Sequence, residues 1–115
     1  MPYPTEAGGF PAIPGAAPPH PDGGLKAERV QAELAALPRW ALEENGTAIT
    51  RSFRFHSPAA PLAFAAFLGT LAAESGHYPA VTIVNRTLFC RLASSEVGEL
   101  TEKDFEMAKR ISLLD

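Results

Sequence analysis

Apolar residues recur along the chain with two periods, one suited to helices and one to strands. From Leu25 to Leu37, the residues Val30, Leu34 and Leu37 fall at helical spacing, with Lys26, Glu28, Arg29 and Glu33 between them. The pattern predicts a first helix that Pro38 ends. Arg39 to Glu44 reads as a strand. After it, Ile49, Arg51, Phe53 and Phe55 alternate with Thr50, Ser52, Arg54 and His56, as a strand does with one face mostly apolar. Asn45-Gly46 lies between these runs and predicts a two-residue hairpin turn, because both residues tolerate positive φ. Ser57-Pro58 opens a second helix, with Ser57 as the expected cap and Pro58 at the first helical position. Its apolar residues Leu62, Phe64, Phe67, Leu68 and Leu71 spread over a broad arc, and alanines occupy other sides. Such a helix is expected to be covered on more than one side. Gly76 is its expected stop.

Two further strands are predicted at Ala80 to Val84 and Arg86 to Ala93. A third helix follows. Thr101-Glu102-Lys103-Asp104 has the form of a capping box with Asp in the usual Glu or Gln place, and Phe105, Ala108, Ile111 and Leu114 recur behind it. The order α-β-β-α-β-β-α predicts an α+β domain, an antiparallel sheet with its helices on one face.

Composition divides the chain. Residues 1–24 contain seven Pro and five Gly, with Glu6 and Asp22 as their only charged residues. This segment is expected to be a disordered or polyproline-like tail, and residues 25–115 to be the folding unit. The formal net charge is -3, and two of those negative charges lie in the tail. The body therefore offers no basic field for nucleic acid or for an acidic membrane. The mostly apolar stretch Ser57 to Ala73 is too short to span a bilayer, and the N-terminus lacks a signal-peptide pattern. Cys90 is the only cysteine. That excludes an intramolecular disulfide framework and a cysteine-based zinc site, and suits a reducing, cytoplasmic setting. Cys90 is expected as a small buried residue, and Trp40 as a packing residue.

His77, just beyond the expected end of the second helix, is the best candidate for acid–base chemistry. Around it the chain resembles the pterin-4a-carbinolamine dehydratases. The resemblance rests on Leu37-Pro38-Arg39-Trp40-Ala41-Leu42-Glu43, Arg51-Ser52-Phe53-Arg54-Phe55, Glu74-Ser75-Gly76-His77-Tyr78-Pro79 and Gly98-Glu99-Leu100-Thr101-Glu102-Lys103-Asp104-Phe105, and runs from about Leu25 to Leu114. It implies a four-stranded antiparallel sheet with three helices and assembly into dimers or tetramers. It also implies loss of water from a 4a-hydroxytetrahydropterin, a lyase reaction that uses no metal and no organic cofactor. In that chemistry one group helps hydroxide leave and another helps remove a ring-nitrogen proton.

The resemblance also exposes departures. Carried over by position, the family's first His is His77 and its Asp is Asp104. Its second His is Tyr78, and its third is Ser95. The aromatic residue often found between the Pro and the third His falls at Asn85, and the acidic residue four before the first His falls at Ala73, with Glu74 one place off. Neither a serine nor a tyrosine is a useful base near neutral pH. Asp104 also sits where it can close a helix cap, so a purely structural role is the competing expectation. His56 and His20 are no evident replacements. The leading expectation is therefore a degenerate-site, non-catalytic protein of the α-carboxysome RuBisCO assembly factor type, an oligomeric chaperone whose partner would be the RuBisCO large subunit. Tyr78-Pro79 is the residue pair that suggests it. The alternative is an active dehydratase on a pterin substrate through His77 and Asp104. A transcription-factor dimerisation partner is a third reading that no residue here favours.

Overall fold

The structure, a computed structural model, describes residues 24–94 and 96–114. The predicted tail lies outside these residues apart from Gly24. Seven elements follow in the expected order: α1 (Ala27–Ala35), β1 (Ala41–Leu42), β2 (Ile49–Arg54), α2 (Ala59–Ser75), β3 (Ala80–Val84), β4 (Thr87–Leu92) and α3 (Glu102–Ser112). The strands form one antiparallel sheet in the spatial order β1-β2-β4-β3.

Register decides which side chains meet the helices. Ile49 pairs with Leu92, Arg51 with Cys90 and Phe53 with Leu88, while Val81 and Ile83 pair with Cys90 and Leu88. Strand side chains alternate between faces, so all of these share one face. There Ile49, Phe53, Leu88, Cys90 and Leu92 form a single core with Val30 of α1, Leu68 and Ala72 of α2, and Phe105, Ala108 and Ile111 of α3. Each large apolar side chain taken wholly from water here contributes about 1.5–3 kcal/mol. Trp40 closes one end of this core as expected, 5% exposed, with its indole N–H donating to Ser112 Oγ at 3.2 Å. Cys90 is fully buried, and burial pushes its thiol up to about 12.

Ion pairs fasten α1 to α3. Glu33 meets Lys109 at 3.0 Å, and Arg29 reaches both Glu33 and Glu102. On the sheet face opposite the helices, Arg91 holds Glu43 through two bonds of 2.7 and 3.1 Å. Both partners are nearly buried.

Four local expectations need correction. The strand expected over Arg39 to Glu44 shrinks to Ala41–Leu42. The hairpin that follows is not a two-residue turn at Asn45-Gly46. Gly46 alone has positive φ, +72°; its N–H donates to Glu43 O, and Asn45 Oδ1 accepts the Thr47 N–H at 3.1 Å. The tight two-residue turn joins β3 to β4 at Asn85-Arg86, where Asn85 has φ +54° and Val84 pairs with Thr87. Asn takes this left-handed conformation more readily than most residues. Ser57 does not cap α2: the flanking residue is Pro58, with no side-chain cap bond. Pro61, three residues further on, has no N–H for a cap to satisfy. Last, α3 ends before Leu114, which is 41% exposed.

Gly76 ends α2 in the left-handed conformation, φ +68°, as expected. The helix it ends is covered on its sheet side, where Pro61, Leu68 and Ala72 are buried. Leu62 and Phe67, on its two flanks, are 65% and 62% exposed. No helix among the described residues is long and apolar enough to cross a membrane.

Candidate functional site

Three chain segments meet at one end of the sheet: the last turn of α2, the exit of β4 and the first turn of α3. The Gly76 N–H donates to Ala72 O at 2.8 Å, and the His77 N–H reaches the same carbonyl at 3.3 Å. This closure turns the chain sharply after α2 and sets His77 facing the start of α3. Thr101 caps α3, and Asp104 occupies its third position in a capping box. The Thr101 N–H donates to Asp104 Oδ2 at 2.9 Å. Ser94, two residues past β4, donates its hydroxyl to the same oxygen at 2.8 Å.

The other carboxylate oxygen serves His77. His77 Nε2 lies 2.5 Å from Asp104 Oδ1, across 27 residues of sequence. Asp104 is completely buried and the His77 side chain is 11% exposed. An ionised carboxylate accepts and cannot donate, so the proton of this contact belongs on Nε2. That fixes the tautomer of the neutral ring and leaves Nδ1 to accept or release a proton. Charge-assisted bonds of this kind are short and roughly twice as strong as neutral ones.

His77 borders a cleft of about 480 Å³, with Asp104 buried behind it. His77, Ser94, Thr101, Val97, Leu25 and Lys103 are among its walls. That volume falls within the range of small-molecule sites. A smaller cavity of about 250 Å³ opens on the other side of His77, between Glu74, Ser75, Met107 and Arg110. Among the described residues, no three or more His, Cys, Asp or Glu gather to hold a metal ion.

The structure thus brings together His77 and Asp104, the two residues carried over intact. Asp104 does more than cap: one oxygen serves the helix, and the other serves His77. Tyr78 follows His77 directly, yet it is 68% exposed and is not among the residues lining the cleft. Ser95 and His20 lie outside the described residues. His56 is exposed beyond the end of β2 and does not line the cleft. Glu74 is exposed too, with Arg110 at 3.8 Å. Asn85 forms a turn rather than a wall of the site. Ser94 was not singled out by its sequence. Its position next to Ser95 was the only signal, and its bond to Asp104 depends on where β4 ends.

Comparison with known proteins agrees with this architecture. Residues 23–114 match the family described as Pterin 4 alpha carbinolamine dehydratase. A Natronomonas pharaonis protein named "Putative pterin-4-alpha-carbinolamine dehydratase" is 36% identical over 90 residues, covering 78% of this chain and 94% of that protein. Proteins of the same name from Chloroflexus aurantiacus and Stenotrophomonas maltophilia K279a are 36% and 33% identical, covering 76% and 81% of this chain and 91% and 80% of their own lengths. A crystal structure from Brucella melitensis, described as a transcriptional coactivator/pterin dehydratase, superposes with a TM-score of 0.75 at 26% identity, covering 79% of this chain and 97% of that one. With a family match over nearly all of the folding unit and relatives above 30% identity, the chain belongs to the pterin-4a-carbinolamine dehydratase family.

Proposed function

We propose that the protein is a pterin-4a-carbinolamine dehydratase that works through one histidine, His77, oriented by Asp104. The observation that carries this reading is the 2.5 Å contact between His77 Nε2 and the buried Asp104 carboxylate at the wall of a cleft of about 480 Å³. In the reaction the C4a–O bond of a 4a-hydroxytetrahydropterin breaks. Hydroxide takes up a proton and leaves as water, and a ring nitrogen loses a proton to give the quinonoid dihydropterin. His77 can deliver the first proton or take the second. One ring cannot do both at once, so water completes the other transfer.

A positioned acid or base contributes about 10²–10⁴-fold, and Tyr78 and Ser95 stand where the family has two more histidines. The protein is therefore a slow dehydratase. The test is an assay on freshly generated 4a-hydroxytetrahydropterin, with His77→Ala run beside the wild type. The expected loss is about 10²-fold, with the fold intact. A folded protein that gives no acceleration over solvent overturns the reading.

The second reading is the non-catalytic assembly factor. It is favoured by the exposed phenol of Tyr78 and by the two absent histidines. Its test is co-purification with the RuBisCO large subunit. Under either reading the protein acts as a homo-oligomer. Exposed Leu62 and Phe67 on α2, and the uncharged edge strand β3, are the surfaces that support pairing. Sedimentation of the full chain at the mass of a monomer would refute it.

A further inference from the structure

The Ser94 and Thr101 hydroxyls beside Asp104 have no part in the reaction described above, yet their donor order is fixed. Asp104 Oδ2 can only accept, so the one proton of Ser94 goes to it, at 2.8 Å. Ser94 Oγ also contacts Thr101 Oγ1 at 2.7 Å. The proton of that second bond must then come from Thr101. The result is a directed chain, Thr101 O–H to Ser94 O–H to Asp104 Oδ2, in which each bond polarises the next. Ser94 is 8% exposed, so water competes little for its hydroxyl.

The arrangement constrains the carboxylate. Two donors, the Ser94 hydroxyl and the Thr101 N–H, hold Oδ2 from different directions. Turning the carboxylate about its Cβ–Cγ bond stretches every bond to its oxygens, and a second donor on Oδ2 raises that cost. Oδ1 is thereby aimed at His77. From this geometry we propose that Ser94 is a positioning residue, which locks the Asp104 carboxylate so that His77 keeps its proton on Nε2 and presents Nδ1 for proton transfer. The proposal rests on the acid–base role given to His77 above. Ser94 itself touches no reacting atom.

The test uses the full chain with Ser94→Ala and Ser94→Thr. The first readout is the tautomer of the neutral His77 ring, taken from its ring-nitrogen shifts by NMR. The second is the dehydratase rate. Wild type and Ser94→Thr, which keeps the hydroxyl, are expected to hold a single Nε2–H tautomer. Ser94→Ala is expected to show a mixture and to lose about 10- to 100-fold in kcat, with KM unchanged, as misplacement of a catalytic group does. A merely structural serine would lower the melting temperature of Ser94→Ala and leave tautomer and kcat alone, and that result overturns the proposal. So does a Ser94→Thr variant that folds but behaves like Ser94→Ala. The tautomer readout needs no turnover. If the wild type fails to dehydrate the pterin yet Ser94→Ala still mixes the tautomers, the positioning role stands and the dehydratase reading falls.

Discussion

Two substitutions at Asp104 separate what this residue does for the helix from what it does for His77. Asp104→Ala removes both carboxylate oxygens. The first cost is the cap, since the Thr101 N–H loses its acceptor; such losses run about 0.5–2 kcal/mol. The second is the Ser94 hydroxyl, which loses the acceptor it had at 2.8 Å but keeps Thr101 Oγ1 at 2.7 Å as a partner, so this adds about 0.5–1.5 kcal/mol. His77 adds less, because its side chain borders the cleft, where water can take its proton. A sum near 2 kcal/mol lowers the melting temperature of a domain of this size by about 8–16 °C. Asp104→Asn behaves differently. Its carbonyl oxygen can replace Oδ2 and keep both the Thr101 and Ser94 bonds, so most of the stability remains. Its amide nitrogen then faces His77 and can only donate. The ring must accept on Nε2 and move its proton to Nδ1, the wrong tautomer for the reaction. In a serine-protease triad the equivalent change costs about 10⁴-fold in kcat. Here the expectation is about 10²-fold or more with a small change in melting temperature. The assays are thermal denaturation and dehydration of freshly generated 4a-hydroxytetrahydropterin, on both variants. An Asn variant with wild-type rate would refute the orienting role and leave Asp104 as a cap only. An Ala variant within about 0.5 kcal/mol of wild type would refute the accounting of its buried bonds.

Burial holds the Cys90 thiol near 12, so in native buffer a thiol reagent should label it only as fast as the protein unfolds; rapid labelling of folded protein would contradict its place in the core. Glu43→Ala strands the nearly buried Arg91 and should cost about 3–5 kcal/mol in urea denaturation, while replacing both partners with apolar residues should cost less. Lys109, and then Arg29, hold the Glu33 carboxyl below its usual range, so its pairing stabilises the fold at neutral pH, and that contribution is lost as pH falls through the depressed value. The gap in melting temperature between wild type and Glu33→Gln should therefore be present at pH 7 and close in acid; a gap that persists with Glu33 protonated would exclude the ion pairs as its cause. Tyr78→His should leave stability within about 0.5 kcal/mol, because the side chain is exposed, and together with Ser95→His should raise the dehydratase rate. No gain from the double variant in a folded protein would favour the assembly reading.

The elements were legible where they depend on a repeating pattern. Val30 and Leu34, the alternation from Ile49 to Phe53, and Phe105, Ala108 and Ile111 each mark the side of an element that enters the common core. Turn chemistry was less legible, because one residue can satisfy a turn in several ways. Asn45 uses its side chain to accept the Thr47 N–H and leaves the left-handed position to Gly46, whereas Asn85 takes that position itself. The cap of α3 could be read because Thr101 and Asp104 are three residues apart. The link from Asp104 to His77 could not be derived from spacing, since 27 residues separate them and only the packing of α3 against α2 brings them together; the family resemblance paired them instead. Ser94 gave no signal of its own for the same reason.

The buried carboxylate explains why the structural and the chemical readings of Asp104 are not alternatives. A helix cap needs one oxygen, and Oδ2 supplies it. A carboxylate that is completely buried must also satisfy its second oxygen, or it bears a desolvation penalty of several kcal/mol. His77 is the donor that meets this need. The fold therefore requires a donor near Oδ1, and the proposed chemistry requires an imidazole of fixed tautomer; one contact would meet both demands. It follows that stability alone cannot reveal whether the site is active, because an inert protein of this fold would hold its buried Asp104 in the same way. What distinguishes the two is the ring's other nitrogen. A histidine that serves only as a donor to Asp104 makes no use of Nδ1, and a dehydratase depends on it, so chemistry at Nδ1, rather than the strength of the pair, is where the two readings part.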